Sequence, residues 1–200
     1  MRAALLLGAL LVAGCNQNDA DQPAPAADAA PVAAEATPTE VEASTEPGIT
    51  VTVDSVILVG AVEGRGTATT IAFGRPKAEV FAIMEAAGFA APKTSANDEC
   101  GAGPMEFAHF GPLELNFAEG KLAGWFVGDK PGARDIATDE GVSVGSPGAD
   151  FIARHGAKAI EDSTLGNEYF ADAGIGAFMA EGSKPPVVES LYAGTNCFFR

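Results

Sequence analysis

The chain has 200 residues, with 12 Lys and Arg against 27 Asp and Glu, a formal net charge of −15. Such an excess of acid repels phosphate backbones, which argues against nucleic-acid binding, and it leaves no polybasic patch to hold a membrane surface. The length allows one folded domain of ordinary size with additional segments.

The first residues read as a secretory leader. Arg2 supplies a positive start, Ala3 to Val12 an apolar centre, and Ala13 and Gly14 small residues before a cut. The apolar run falls well short of the about 20 residues that span a bilayer as a helix. Val12-Ala13-Gly14-Cys15 resembles the lipobox of bacterial lipoproteins. That resemblance implies that residues 1–14 are removed as a lipoprotein signal peptide. Cys15 then becomes the lipidated first residue of the mature chain, modified with palmitate-type acyl chains. One chain binds a membrane marginally, whereas several anchor it stably. An ordinary cleaved leader, with Cys15 lying just beyond its cut, is the competing reading. Asn16, rather than Asp, follows the cysteine, which by resemblance favours the outer membrane, facing the periplasm, in a two-membrane bacterium. Losing Arg2 leaves 11 basic residues against 27 acidic ones, a charge of −16. The lipid on Cys15, not electrostatics, is then what holds the protein to its membrane.

Residues 15–47 comprise that cysteine and a tether of Ala, Pro, Asp, Glu, Thr and Gln. Seven acids between Asp19 and Glu46 face no basic residue, and Val32 and Val41 are the only larger aliphatics. Such a stretch buries too little apolar surface to offset its ordering entropy, so disorder is expected. Five prolines from Pro23 to Pro47 and the repelling acids favour extended conformations. The flexible-chain reach is about 30 Å or more.

Residues 48–200 read as one α+β domain. The β-branched run 49–60 predicts a strand, Glu63-Gly64-Arg65-Gly66 a turn, and Thr67 to Phe73 a returning strand. Gly64-Arg65-Gly66 does not make a dinucleotide fingerprint, because Thr69 stands where the third Gly belongs and a strand comes next. Ile71 to Val80, containing Gly74-Arg75-Pro76, recurs as Val142 to Phe151, containing Gly145-Ser146-Pro147. Each predicts a Gly turn, a Pro at a helix start and an acid in the first turn. Val80, Ile83, Met84 and Ala87 continue at helical spacing to Gly88; the second helix is shorter and stops at Gly156. Leu113 to Gly120 is then echoed by Ile175 to Gly182, each a strand entering a turn towards Leu122–Val127 or Val187–Ala193. Two tandem helix-plus-antiparallel-hairpin units, about 67–128 and 139–200, packed in two layers, are therefore expected. Chance similarity between two βα units is the alternative.

These Gly-x-Pro helix entries and the hairpins after them resemble the tandem units of secreted β-lactamase-inhibitor proteins. They are also similar to the small lipoprotein of the outer-membrane barrel-assembly machinery. The resemblance implies a fold only, since no matching residue motif carries over a binding partner.

Two cysteines remain beyond the lipobox, Cys100 and Cys197. An oxidising envelope makes the pair a disulfide candidate. A reactive thiol is disfavoured, because Asn97-Asp98-Glu99 would raise the pKa of Cys100. His109 falls in a strand and His155 at a helix end, and neither has the spacing of a metal site. The acid pairs Asp98-Glu99, Asp139-Glu140 and Glu161-Asp162 read as solvated turns. No nucleophile elbow is present. No catalytic residue, metal or cofactor is thus expected. Trp125 and Phe126 are strand neighbours, so their side chains point to opposite faces. One face meets a helix; the other, carrying Phe126 and Tyr192, is the candidate binding surface. The expectation is a lipid-anchored envelope protein whose domain is a non-catalytic binding or assembly module with an envelope protein partner. The alternatives are a periplasmic enzyme, with His109 or the loop acids as its candidates, and a purely structural envelope component.

Overall fold

A computed structural model describes residues 48–62 and 65–199. The lipobox, Cys15, the tether and Glu63-Gly64 of the expected turn lie outside the described residues. The expectation of an α+β domain made of helix–hairpin units is not met: strand makes up 43% of the structure and helix 14%. Among the described residues, twelve strands form two sheets and there are two α-helices.

The strands are β1 (Gly48–Val51), β2 (Ser55–Val62), β3 (Arg65–Ala72), β4 (Lys93–Asn97), β5 (Met105–Phe110) and β6 (Leu113–Ala118). They continue as β7 (Lys121–Val127), β8 (Ile136–Thr138), β9 (Lys158–Ala159), β10 (Glu168–Phe170), β11 (Ile175–Met179) and β12 (Val188–Gly194). Helix α1 (Lys77–Ala86) precedes β4, and α2 (Gly148–His155) precedes β9. A four-stranded sheet has the order β3-β2-β1-β8, with β1 and β8 parallel. The eight-stranded sheet runs β4-β5-β6-β7-β12-β11-β10-β9, joined at its centre by the antiparallel β7–β12 pair.

The correction has a local cause at each place. The run 49–60 folds back on itself, with Ile49 opposite Leu58. Thr52 makes the break: its hydroxyl donates to Asp54 Oδ1 at 3.0 Å and lies 2.7 Å from Ser55 Oγ, so polar side chains replace the ladder there. Strand β4, Lys-Thr-Ser-Ala-Asn, is exposed or half-exposed throughout and has no apolar alternation to announce it. Strands β9 and β10 have only two and three residues. Four strands of the larger sheet, rather than one hairpin, therefore come after each helix, and both sets merge in that one sheet.

The helix entries do match in their backbone. Gly74 and Gly145 have φ of 85° and 86°, a conformation that costs glycine little, and Pro76 and Pro147 stand at the N-caps. Gly74 N–H donates to Leu122 O at 2.7 Å, and Gly145 N–H to Val188 O at 2.8 Å. Leu122 and Val188 return the bond to Arg75 O and Ser146 O, each at 2.9 Å. Each helix is thus hung from the first residues of a central strand, β7 or β12.

The core lies between the sheets. Val51, Val56, Leu58 and Ile71 of the smaller sheet share one buried cluster with Leu113, Leu115, Trp125, Ala177 and Leu191 of the larger. Trp125 Nε1–H donates to Thr52 O at 2.7 Å, which ties β7 to the β1–β2 turn and satisfies the indole. Helix α1 buries Val80 and Met84, and its Phe81 meets Phe110 and Phe117 edge-on, with centroids 6.1 and 5.9 Å away. We call this side of the eight-stranded sheet its inner face.

Candidate functional site: the outer face of the eight-stranded sheet

Strand alternation sends every second residue of β5, β6, β7, β11 and β12 to the other side. There the register aligns one row across all eight strands: Lys93, His109, Glu114, Phe126, Tyr192, Gly176, Phe170 and Lys158. The row is charged at its two ends and aromatic at its centre.

Tyr192 is only 3% exposed. Its ring covers Gly176 so closely that a Cβ there would fall 2.1 Å from Cζ. Its hydroxyl donates to Glu168, a residue 1% exposed that also accepts from Ser163 Oγ at 2.6 Å. Phe178 tilts against Tyr192 at 5.4 Å, and Phe198 stands edge-on to Phe126, Phe178 and Tyr192 at 6.4, 5.6 and 5.0 Å. The three Phe198 contacts have the geometry in which the positive edge of one ring meets the negative face of another.

Phe198 belongs to a strap, residues 195–199, that leaves β12 and crosses the outer face without regular structure. Cys197 Sγ is 2.05 Å from Cys100 Sγ, a disulfide joining positions 97 residues apart. With Met105 and Phe107, the two cysteines form a small apolar cluster of their own. Asn116, 0% exposed, donates through Nδ2 to Thr195 O at 3.2 Å and to Asn196 Oδ1 at 2.7 Å. Gly124, next to Asn116 on β7, lets the strap lie against the sheet: a Cβ there would be 2.3 Å from Thr195 O. The strap is held by a covalent bond, an amide and an aromatic ring.

Beside the strap is a groove of about 830 Å³. Phe126, Phe178 and Phe198 wall it, each half-buried, and Asp129, Glu181 and Glu189 lie exposed along it. None of these three carboxylates has an ion-pair partner among the described residues.

A second cleft, of about 760 Å³, opens at the β5–β6 turn, the loop after α1 and the β1–β8 pair. Ile49, Phe89, Phe110 and Pro112 give it apolar walls, and His109 and Asp135 are its titratable groups. His109 Nδ1 is 3.2 Å from Glu114 Oε2, without a well-aligned hydrogen bond. Burial pushes the Glu114 carboxyl above the usual range, and His109 and Lys130 draw it partly back. Such a pair can pass a proton, but the described side chains lining the cleft include no Ser, Thr or Cys nucleophile.

Of the residues singled out in the sequence, Phe126 lies half-buried in the groove wall, whereas Tyr192 is buried beneath it. Cys100 and Cys197 form the disulfide that fastens the strap. His155 ends α2, where its Nε2 lies 3.1 Å from Thr138 Oγ1. No group of three or more His, Cys, Asp or Glu able to hold a metal occurs among the described residues. Sequence reasoning missed Phe178, Phe198 and the three carboxylates as neighbours of Phe126. The alternation of β11 was the only signal for Phe178, and nothing local in the sequence brings Asp129 to Glu181 and Glu189.

No protein-family model, curated protein or solved structure matches the chain.

Proposed function

We propose that this protein is a lipoprotein of the cell envelope, anchored through Cys15, whose folded domain is a non-catalytic binding module for an envelope protein. The groove beside the strap carries this reading. It combines three half-buried rings with three carboxylates that are not neutralised within the described structure. Rings held rigidly by one another offer contact area at little further entropic cost, which is what a protein-binding surface needs. The lipobox and the acidic, proline-rich tether support an envelope location, with the outer membrane facing the periplasm as the site Asn16 favours.

Two experiments test the two halves of the reading. Labelling cells with a palmitate analogue should mark the wild-type chain and leave Cys15→Ala unmarked; equal labelling removes the anchor. A photoreactive residue at position 178 should give a discrete adduct with a partner in the native envelope, whereas one at Glu85, on the exposed side of α1, should give none. Identical adduct patterns from both positions would remove the binding surface.

The contact of Glu114 with His109, a residue that lines the second cleft, favours an alternative, a periplasmic enzyme using this pair for proton transfer. It would predict a turnover lost in His109→Gln, with the groove variants unaffected.

A further inference from the structure

We infer that the groove recognises an arginine-bearing, extended segment of a partner protein, with the guanidinium stacked on the phenylalanine rings and paired to the rim carboxylates. This inference rests on the groove being the binding surface and adds what it binds.

Three observations select that chemistry. Three phenylalanine rings line the groove, and the face of an aromatic ring is its negative side, which attracts a cation. Among the described residues that line the groove the charges are of one sign: Asp129 after β7, Glu181 beyond β11 and Glu189 on β12. These carboxylates are exposed and not ion-paired within the described residues, so a partner need not break an existing salt bridge to reach them. An anionic segment would meet repulsion from all three, and a purely apolar one would leave them beside a desolvated surface.

Arginine satisfies both halves of the site at once. Its guanidinium is flat and weakly hydrated, so it stacks on a ring while its edge presents paired donors to carboxylates. Lysine offers a point charge without a planar face to stack. About 830 Å³ is room for one such side chain with its apolar neighbours, not for a folded element. An extended segment, with alternate residues pointing into the groove, meets that limit.

The experiment uses the full-length protein, with its disulfide intact, and an acetylated, amidated pentapeptide alternating leucine and arginine. The comparison peptide has glutamine in place of arginine, and binding is read by calorimetry together with the NMR signals of the Phe126 and Phe178 rings. The arginine peptide should bind about tenfold more tightly, from cation–π and exposed ion-pair contributions together. Both ring signals should shift. In Asp129→Asn/Glu181→Gln/Glu189→Gln, whose altered side chains are all exposed, that preference should largely disappear, as it should at high salt. Equal binding of the two peptides in the groove, or full retention of the preference in the triple variant, would overturn the arginine assignment and leave the groove as the binding surface. No ring shift with either peptide would overturn both.

Discussion

Gly176 and Tyr192 show how one missing side chain organises the outer face. The tyrosine ring occupies the space above the glycine, and this position brings its hydroxyl to the buried Glu168. In Gly176→Ala the new methyl would overlap the ring at 2.1 Å from Cζ, so the ring must leave and the carboxylate loses one of its donors. We expect a loss of about 2–3 kcal/mol, the scale of overpacking plus a broken buried hydrogen bond, read from urea unfolding. A change below a few tenths of a kcal/mol would show that the ring is not fixed there. His155 makes a second, pH-dependent case. Val142 N–H donates to Thr138 Oγ1 at 3.1 Å, and a neutral imidazole with its proton on Nδ1 lets that hydroxyl donate onward to Nε2. Burial is the main cause that lowers the His155 pKa; Arg154 adds to it, and Asp139 and Glu140 oppose it. The unfolded chain therefore takes up this proton at a higher pH than the folded one. Stability from this group is complete above the ordinary histidine pKa of 6.5 and declines as pH falls through it. Replacing His155 by Gln should flatten stability against pH between about 7 and 5. An unchanged slope would mean that other groups set it.

At the scale of elements, the strap is the part whose loss would change most. It supplies Phe198 to the groove and covers Met105 and Phe107. Its disulfide closes a separation of 97 residues, for which chain entropy gives at most about 4–5 kcal/mol, with about 2–4 typical. In Cys100→Ser/Cys197→Ser we expect a stability loss in that range and faster cleavage by carboxypeptidase, while the core near-ultraviolet signal of Trp125 persists. Loss of that signal would mean that the strap is needed for the fold itself. The elements also show what sequence can and cannot reveal. The helices were legible from their Gly-x-Pro entries and closing glycines, and β5, β6, β7, β11 and β12 as short apolar or alternating runs bounded by turn residues. Strand β4 was not, since it is an edge strand with nothing to bury. The break at Thr52–Asp54 lies inside a run rich in β-branched residues, where Asp54-Ser55 is the only turn signal and propensity favours a strand on either side of it. The candidate site was legible only in part. The opposed directions of Trp125 and Phe126 come from alternation alone, but the burial of Tyr192 depends on Gly176 in a neighbouring strand. The meeting of Asp129, Glu181 and Glu189 depends on sheet order, which no local pattern encodes.

Across the whole molecule, charge and aromatic surface divide the work. A net charge of −15 favours solubility and disfavours contact with anionic polymers. The groove concentrates some of that charge beside phenylalanine rings, where it can select a partner instead of merely repelling others. The measurement that bears on this most directly is hydroxyl-radical footprinting of the protein in native envelope vesicles against the purified full-length protein. If the outer face is the working surface, oxidation of Phe126 and Phe178 falls in the vesicles. Val59 and Ile152, exposed by 44% and 37% on other elements, then keep the same reactivity in both samples. If Phe126 and Phe178 are oxidised equally in both, or if protection falls on Val59 and Ile152 instead, the outer face is not where this protein meets its partner.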